Sequence, residues 1–314
     1  MDLSLTSVLQ VVAGLVLLTL AADRLVLAAA RLSKRSGLSP VLIGAVVVGL
    51  GTSLPEMLVS GLAAAEPGGM DLALGNIVGS NVANVGLVLG LSVVMNPIVG
   101  QGTVLKREGG LMLVGMASLT AFAWDGDLTF GEGTILGVGL LAALSLLVVW
   151  SQRDDDTDID LDEIGSVAEI RPGVEVLFGI GSLGVTLLGA QLLVTGAEAV
   201  ALGLGVSEAV IGLTLVAVGT SLPELATALA AARRNENDLV LGNVLGSNLF
   251  NALGVGGVAG IVGNSAFEVS FNPSLVAMLA VAVLAGVLAT IGNRLDRWQG
   301  GVLILSYPVL VALF

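Results

Sequence analysis

Apolar residues run through this chain in long stretches, interrupted at intervals by short clusters of charged and turn-forming residues. Taken between those clusters, the stretches predict helices near 7 to 31, 40 to 64, 71 to 96, 109 to 124, 133 to 150, 173 to 200, 207 to 232, 238 to 263, 274 to 292 and 299 to 314. A helix needs roughly 17–25 mostly apolar residues to cross a bilayer, and most of these stretches reach that length. A few polar residues recur inside them in a repeated pattern.

Composition turns this from a buried-core pattern into a membrane pattern. Hydrophobic residues make up 55% of the chain, charged residues 12%, and the mean hydropathy is +0.99; an ordinary soluble domain has about 25% charged residues. The first stretch contains Asp23 and Arg24 and is followed by no convincing cleavage site, so it reads as a retained helix and not as a signal peptide. Cysteine and histidine are absent, which excludes disulfides, thiolate metal sites and imidazole relays. Any metal site must therefore use oxygen.

Charge adds an orientation. With the N-terminus placed outside, Arg31 falls at the inner end of the first span. The cytoplasmic connections then hold Lys34, Arg35, Lys106, Arg107, Arg153, Arg171, Arg233, Arg234, Arg294 and Arg297, and the outer connections hold no Lys or Arg. This segregation is what the positive-inside rule expects, and it supports ten spans with both termini outside the plasma membrane. Trp124, Trp150 and Trp298 fall at predicted span ends, where the indole suits the headgroup level. The net charge of −13 owes much to Asp154, Asp155, Asp156, Asp158, Asp160, Asp162 and Glu163. That segment reads as a solvated linker, residues 151–172, between a first repeat at 1–150 and a second at 173–314. A Ca²⁺-binding loop is the sharper alternative, but Ile159 and Gly165 stand where an EF-hand needs Gly and Glu.

The chain repeats itself. A shift of 168 residues lays Leu25-Val26 on Leu193-Val194, Gly44 on Gly212, and Gly51-Thr52-Ser53-Leu54-Pro55-Glu56 on Gly219-Thr220-Ser221-Leu222-Pro223-Glu224. A shift of 167 lays the ten residues from Gly75 to Asn84 on those from Gly242 to Asn251, with Gly-Asn-x-x-Gly-Ser-Asn-x-x-Asn kept in both. Each half holds five predicted spans, an odd number, so the second half enters the membrane with opposite polarity. Folds of this kind place the substrate near mid-membrane, where broken helices meet.

The repeated motifs carry ionisable and polar groups to membrane depth. Glu56 and Glu224 would be costly there without a partner or a cavity, and no Lys, Arg or His lies in the neighbouring core segments to pair with them. Pro55 and Pro223 remove a backbone donor, and Gly51 and Gly219 loosen the helix, so each helix is expected to break at the motif. Freed carbonyls at such a break can coordinate a cation. Thr52 and Ser53 lie four and three residues before Glu56, on one helical face. Asn76, Ser80 and Asn84, and their twins Asn243, Ser247 and Asn251, recur at steps of four as a polar stripe. Asn81 and Asn248 lie off that stripe and are expected to bond the broken backbone of the neighbouring helix. Gly75, Gly79 and Gly86 are read as packing positions. Asp71 and Asp238 are read as helix caps. The ligand set is all oxygen, which suits a hard cation with flexible coordination such as Ca²⁺ better than Mg²⁺, which dehydrates reluctantly.

The paired motifs resemble the two alpha-repeats of the Ca²⁺/cation antiporter superfamily, in particular the prokaryotic Na⁺/Ca²⁺ exchangers, over nearly the whole chain. The resemblance implies an all-α membrane protein with ten transmembrane helices in two inverted five-helix repeats. The helices are broken at the ion site, and the first and sixth slide across the other eight. By position it implies Glu56 and Glu224 as central carboxylates, with Thr52, Ser53, Ser80, Asn84, Thr220, Ser221, Ser247 and Asn251 around them. The carbonyl of Ala217 would be a further Na⁺ ligand, with Gly49 as its first-half equivalent. Many such exchangers carry Asp where Asn251 stands, and some at Asn84; here both are amides, so the site holds only two formal charges. No cofactor, enzymatic activity or nucleic-acid partner is expected. The partners are Na⁺, Ca²⁺ and lipid, with H⁺ or K⁺ as further candidate ions, and the chain is expected to act as a monomer. H⁺/Ca²⁺ exchange and, from another class, a cation channel are the competing readings. An intramembrane serine enzyme lacks a base near Ser53 or Ser221.

Overall fold

The computed structural model describes residues 5–152, 170–205, 219–263, 266–267 and 271–312. Its first half comprises α1 (Leu5–Ser36), α2 (Pro40–Thr52), α3 (Leu54–Ala65), α4 (Met70–Met95), α5 (Gly102–Phe122) and α6 (Phe130–Ser151). The second comprises α7 (Pro172–Gly203), α8 (Leu222–Arg233), α9 (Asn237–Val262), α10 (Asn272–Thr290) and α11 (Arg297–Val311). Two-residue strands, β1 (Ile98–Val99) and β2 (Arg294–Leu295), pair antiparallel with Ile98 opposite Leu295.

Local chemistry sets the helix ends. Gly37 leaves α1 at a φ of +70°, and Ser39 then accepts from the Leu42 N–H while Pro40 occupies the first turn of α2. Thr129 and Glu132 form a capping box on α6. Asp71 and Asp238, expected as caps, instead lie inside the first turns of α4 and α9, where a carboxylate still suits the positive helix end; the cap positions are Gly69 and Glu236.

Six helices among the described residues are long and apolar enough to cross a membrane, and the bent pair α2–α3 makes a seventh. The other expected spans have identifiable reasons for falling outside that set. Lys106, Arg107 and Glu108 lie in the first turns of α5, α11 is only 15 residues long, and part of the segment near 207 to 232 lies outside the described residues. The acidic segment from Asp154 to Glu163 lies outside them too.

The two halves share a plan. Each has a 32-residue helix, a 12-residue helix opening on Ser-Leu-Pro-Glu, and a 26-residue helix interrupted by a π-helical segment, at Asn84–Leu89 and Phe250–Val255. α9 and α4 form the centre, with 89% and 78% of their most apolar stretches buried, against 28% for α1 and α7. The outer helices present large apolar side chains such as Leu9, Leu20, Leu177 and Ile180. That much exposed apolar surface suits lipid and not water.

α1 and α7 pack antiparallel along their length, with Gly14 against Leu193 and Gly189, and Gly196 against Ser7 and Val11. A Cβ at Gly189 would stand 2.6 Å from the Leu18 nitrogen and 3.1 Å from the Gly14 carbonyl oxygen, so the backbones touch. One end of the pair is fixed by Glu175, which accepts from Arg24 at 2.7 Å and Arg31 at 2.8 Å. Asp23 ties α1 to Arg234, the residue following α8, through two bonds of 2.7 and 2.9 Å.

Gly189→Ala is therefore expected to overpack this seam, at a cost of about 1–3 kcal/mol. A Cβ at Gly184 meets nothing within 4 Å, so Gly184→Ala should leave stability unchanged or raise it. Thermal unfolding in detergent compares the two, and equal midpoints would contradict the packing described.

Candidate ion site

The chain bends by 46° between α2 and α3, and the bend falls at Ser53, with φ −85° and ψ 3°. Ser221 repeats the conformation, with φ −89° and ψ 6°, before α8. Both serines occupy the sparsely populated region between the helical and extended basins, where site residues often sit. The break was expected at the Gly-Pro motif, and its position one residue before Leu54 has a consequence for roles. Pro55 and Pro223 become early residues of new helices, where no backbone donor is needed. Glu56 and Glu224 then lie in the first turns of α3 and α8, at the positive ends of those helices.

Both carboxylates are only 1% exposed. They lie near enough to act on each other electrostatically, and neither joins an ion pair among the described residues. Ser53 does not cap its own helix; its hydroxyl crosses to the other half and donates to Glu224 Oε1 at 3.2 Å. Thr52 turns back and donates to the carbonyls of Val48, at 2.9 Å, and Gly49, at 3.2 Å. The expectation that Thr52 and Ser53 share a face with Glu56 on one helix is thus corrected: the break separates them, and Ser53 serves the partner carboxylate.

The inner wall is α9, which lies in backbone contact with the π-helical segment Gly44–Gly49 of α2. A Cβ at Gly44 would stand 3.0 Å from the Leu239 oxygen, and one at Gly49 2.9 Å from the Asn243 oxygen. The two glycines are five apart, the spacing of a π turn, which keeps both against α9. At this contact Ser247 donates to the Gly49 carbonyl at 3.2 Å. That carbonyl also accepts from the Ser53 N–H at 3.0 Å and from Thr52, so it is engaged and not free. Its expected counterpart, Ala217, lies outside the described residues.

The stripe residues divide. Asn76 donates to Ser60 Oγ at 2.9 Å, and Asn243 donates to the Glu224 carbonyl at 3.0 Å and Thr227 Oγ1 at 3.1 Å; these amides brace helices against one another. Asn81 does not bond broken backbone: its amide donates to Met278 Sδ at 3.3 Å. Neither side-chain atom of Asn248 has a hydrogen-bond partner among the described residues. Buried and equally without partners are both oxygens of Glu56, Oε2 of Glu224, the hydroxyls of Ser80 and Ser221, Oδ1 of Asn84, and both side-chain atoms of Asn251. Thr220 is half-buried beside Ser221. Oxygens left unpartnered at such depth are expensive unless a ligand completes them. Among the described residues there is no cluster of three or more His, Cys, Asp or Glu side chains, so a cation here would rely on two carboxylates and neutral oxygens.

Sequence reasoning did not find the π-helical segments at Asn84–Leu89 and Phe250–Val255, which begin at or beside Asn84 and Asn251. Wide turns of this kind are frequent at functional sites, and they have no reliable sequence signal.

Comparison with known proteins agrees with the geometry. The family model described as sodium/calcium exchanger protein matches residues 6–151 and 174–314. Sodium/calcium exchanger MaX1 of Methanosarcina acetivorans is 30% identical over 96% of this chain and 96% of its own length. Inner membrane protein YrbG of Escherichia coli is 34% identical over 88% of this chain and 86% of its own. The solved structure of the sodium-calcium exchanger NCX_Mj soaked with 2.5 mM Na⁺ and 0.1 mM Ca²⁺ superposes with a TM-score of 0.85 at 32% identity, covering 98% of both chains.

Ser53→Ala should destabilise the ion-free protein by about 1.5–3 kcal/mol, since it removes a hydrogen bond to a carboxylate. Ser221→Ala deletes a buried hydroxyl that has no partner among the described residues and should be neutral or stabilising. Thermal unfolding in a buffer free of Na⁺ and Ca²⁺ tests the contrast.

Proposed function

This chain belongs to the sodium/calcium exchanger protein family, and we propose that it is a secondary active antiporter exchanging Na⁺ for Ca²⁺ by alternating access, extruding Ca²⁺ across the plasma membrane. Family membership makes it a multi-pass membrane transporter and not an enzyme. The observation that carries the ion reading is the meeting of the two repeats: the break of the first half gives its hydroxyl to Glu224 of the second, beside Glu56.

The architecture proposed is ten transmembrane helices in two inverted five-helix repeats, 1–150 and 173–314, joined by an acidic linker at 151–172. The antiparallel packing of the equivalent helices α1 and α7 and the matching breaks at Ser53 and Ser221 support it. The segregation of Lys and Arg supports both termini outside. The ligand set proposed is Glu56 and Glu224 with Thr52, Ser53, Ser80, Asn84, Thr220, Ser221, Ser247, Asn251 and the carbonyl of Ala217.

Two carboxylates held away from water are balanced by one Ca²⁺, by two Na⁺, or by Na⁺ with a proton. Occupancy by one set excludes the other, and if only the neutralised carrier reorients, exchange follows from charge alone. With amides at Asn84 and Asn251 the site offers no third formal charge, so exchange is less electrogenic than in relatives with Asp there.

Na⁺-loaded proteoliposomes are expected to take up radiolabelled Ca²⁺, with Glu56→Gln or Glu224→Gln lowering uptake at least ~100-fold, as expected for losing one member of a buried charged site. Uptake surviving both substitutions would sink the site assignment. A pH gradient driving uptake without Na⁺ would select proton exchange, and flux needing no counter-ion would select a channel. An imposed membrane potential should change the rate only weakly; a response as steep as that of a three-to-one exchanger contradicts the charge count.

A further inference from the structure

The two repeats carry the same motif but brace it differently. In the first half, Asn76 of α4 reaches Ser60, four residues beyond Glu56. In the second half, Asn243 of α9 reaches the backbone carbonyl of Glu224 itself, at 3.0 Å, and the hydroxyl of Thr227, at 3.1 Å. Thr227 closes the arrangement by donating to the carbonyls of Pro223, at 2.8 Å, and Glu224, at 3.0 Å. One turn further along α9, Ser247 bonds the Gly49 carbonyl at the break of the first half. A single helix face, at i and i+4, therefore grips the Glu224 turn with one residue and the opposite break with the next.

We propose that Asn243 is a positioning residue: with Ser247 it forms a bracket that fixes the Glu224 turn against the Gly49–Ser53 break, so that the half-site on α8 is set before a cation arrives. Among the described residues, the equivalent amide of the first half, Asn76, braces Ser60 and not the Glu56 turn. Side-chain oxygens without partners among the described residues remain in both half-sites, Glu56, Ser80 and Asn84 in one and Glu224 Oε2, Ser221 and Asn251 in the other, and the cation itself draws them in. Asn243 touches no ion in this scheme; it acts by holding Glu224, as outer-shell groups hold metal ligands. This inference rests on the reading of Glu56 and Glu224 as the ion site.

The matched substitutions Asn243→Ala and Asn76→Ala test it, since both remove an amide that braces two helices and only one brace includes a carboxylate-bearing turn. Asn243→Ala is expected to raise the apparent KM for Ca²⁺ in proteoliposome uptake at least ~10-fold, the usual loss on removing an outer-shell group. Asn76→Ala should shift KM less than ~3-fold while lowering the thermal midpoint by a similar amount, the pattern of a brace outside the ligand shell. Equal KM shifts in the two variants, or a lowered midpoint with unchanged KM in Asn243→Ala, would overturn the proposal. If Asn243→Ala does not yield folded protein, Thr227→Val removes one of the two Asn243 contacts and must raise KM in the same direction; an unchanged KM there would overturn it as well. Failure of the exchange reading itself shows in the unsubstituted protein, which would then neither take up Ca²⁺ nor be stabilised by it, and this role of Asn243 would fall with it.

Discussion

The constraint on which the rest of this molecule depends is the burial of two carboxylates with almost nothing protein-made to neutralise them. Glu56 and Glu224 are each 1% exposed, and the ion pairs among the described residues lie elsewhere. A buried charge of this kind costs several kcal/mol unless compensated. What the fold offers instead is partial and dipolar: the N-terminal ends of α3 and α8, and one hydroxyl from Ser53. Breaking the helices immediately before the glutamates is what brings those positive ends to them. Among the described residues the compensation is incomplete, and in the function proposed above a cation completes it.

Bringing oxygens from two distant segments to one place requires backbones to approach more closely than ordinary side chains allow. Gly44 and Gly49 on α2, and Gly242 and Gly246 on α9, remove the obstacle where the two halves cross. The same device at Gly14, Gly189 and Gly196 joins α1 to α7. Charged groups then fall into two populations. Those with partners, such as Asp23, Arg24, Arg31, Glu175 and Arg234, pair at one end of the α1–α7 seam, where water and headgroups help. Glu56 and Glu224 lie apart from these pairs, buried at the two helix breaks.

Much of this was legible in the sequence because it was written twice. The hexapeptide at Gly51 and Gly219, the stripe residues and the five predicted spans of each half gave the duplicated plan, and the absence of His and Cys restricted the ligands to oxygen. What stayed hidden depends on three-dimensional contact. Helical spacing put Thr52 and Ser53 on the face of Glu56, but the backbone turns at Ser53 and sends its hydroxyl to the other half. Spacing also put Asn76 and Asn243 on the same stripe as Asn84 and Asn251, although the first pair braces helices and the second leaves side-chain oxygens without partners. The π-helical segments shift side-chain register locally through backbone packing, and no residue type announces them. Acidic residues near helix starts indicated caps, yet Asp71 and Asp238 lie just inside their helices.

The difference between the two half-sites comes from residues outside the repeated motif. Under the 168-residue shift, Val59 and Ser60 align with Thr227 and Ala228, so the hydroxyl that the asparagine meets has moved by one position. One residue is about 100° around a helix, which is enough to redirect a side chain from one neighbour to another. With the hydroxyl at Ser60, Asn76 is held four residues beyond its glutamate. With it at Thr227, three residues beyond, Asn243 is drawn back to the Glu224 carbonyl. Two copies of one hexapeptide are therefore braced through different turns, and the difference follows a one-residue exchange between Val-Ser and Thr-Ala. Duplication supplied the residues of the proposed site, whereas a small divergence beside the motif changed which turn each asparagine braces.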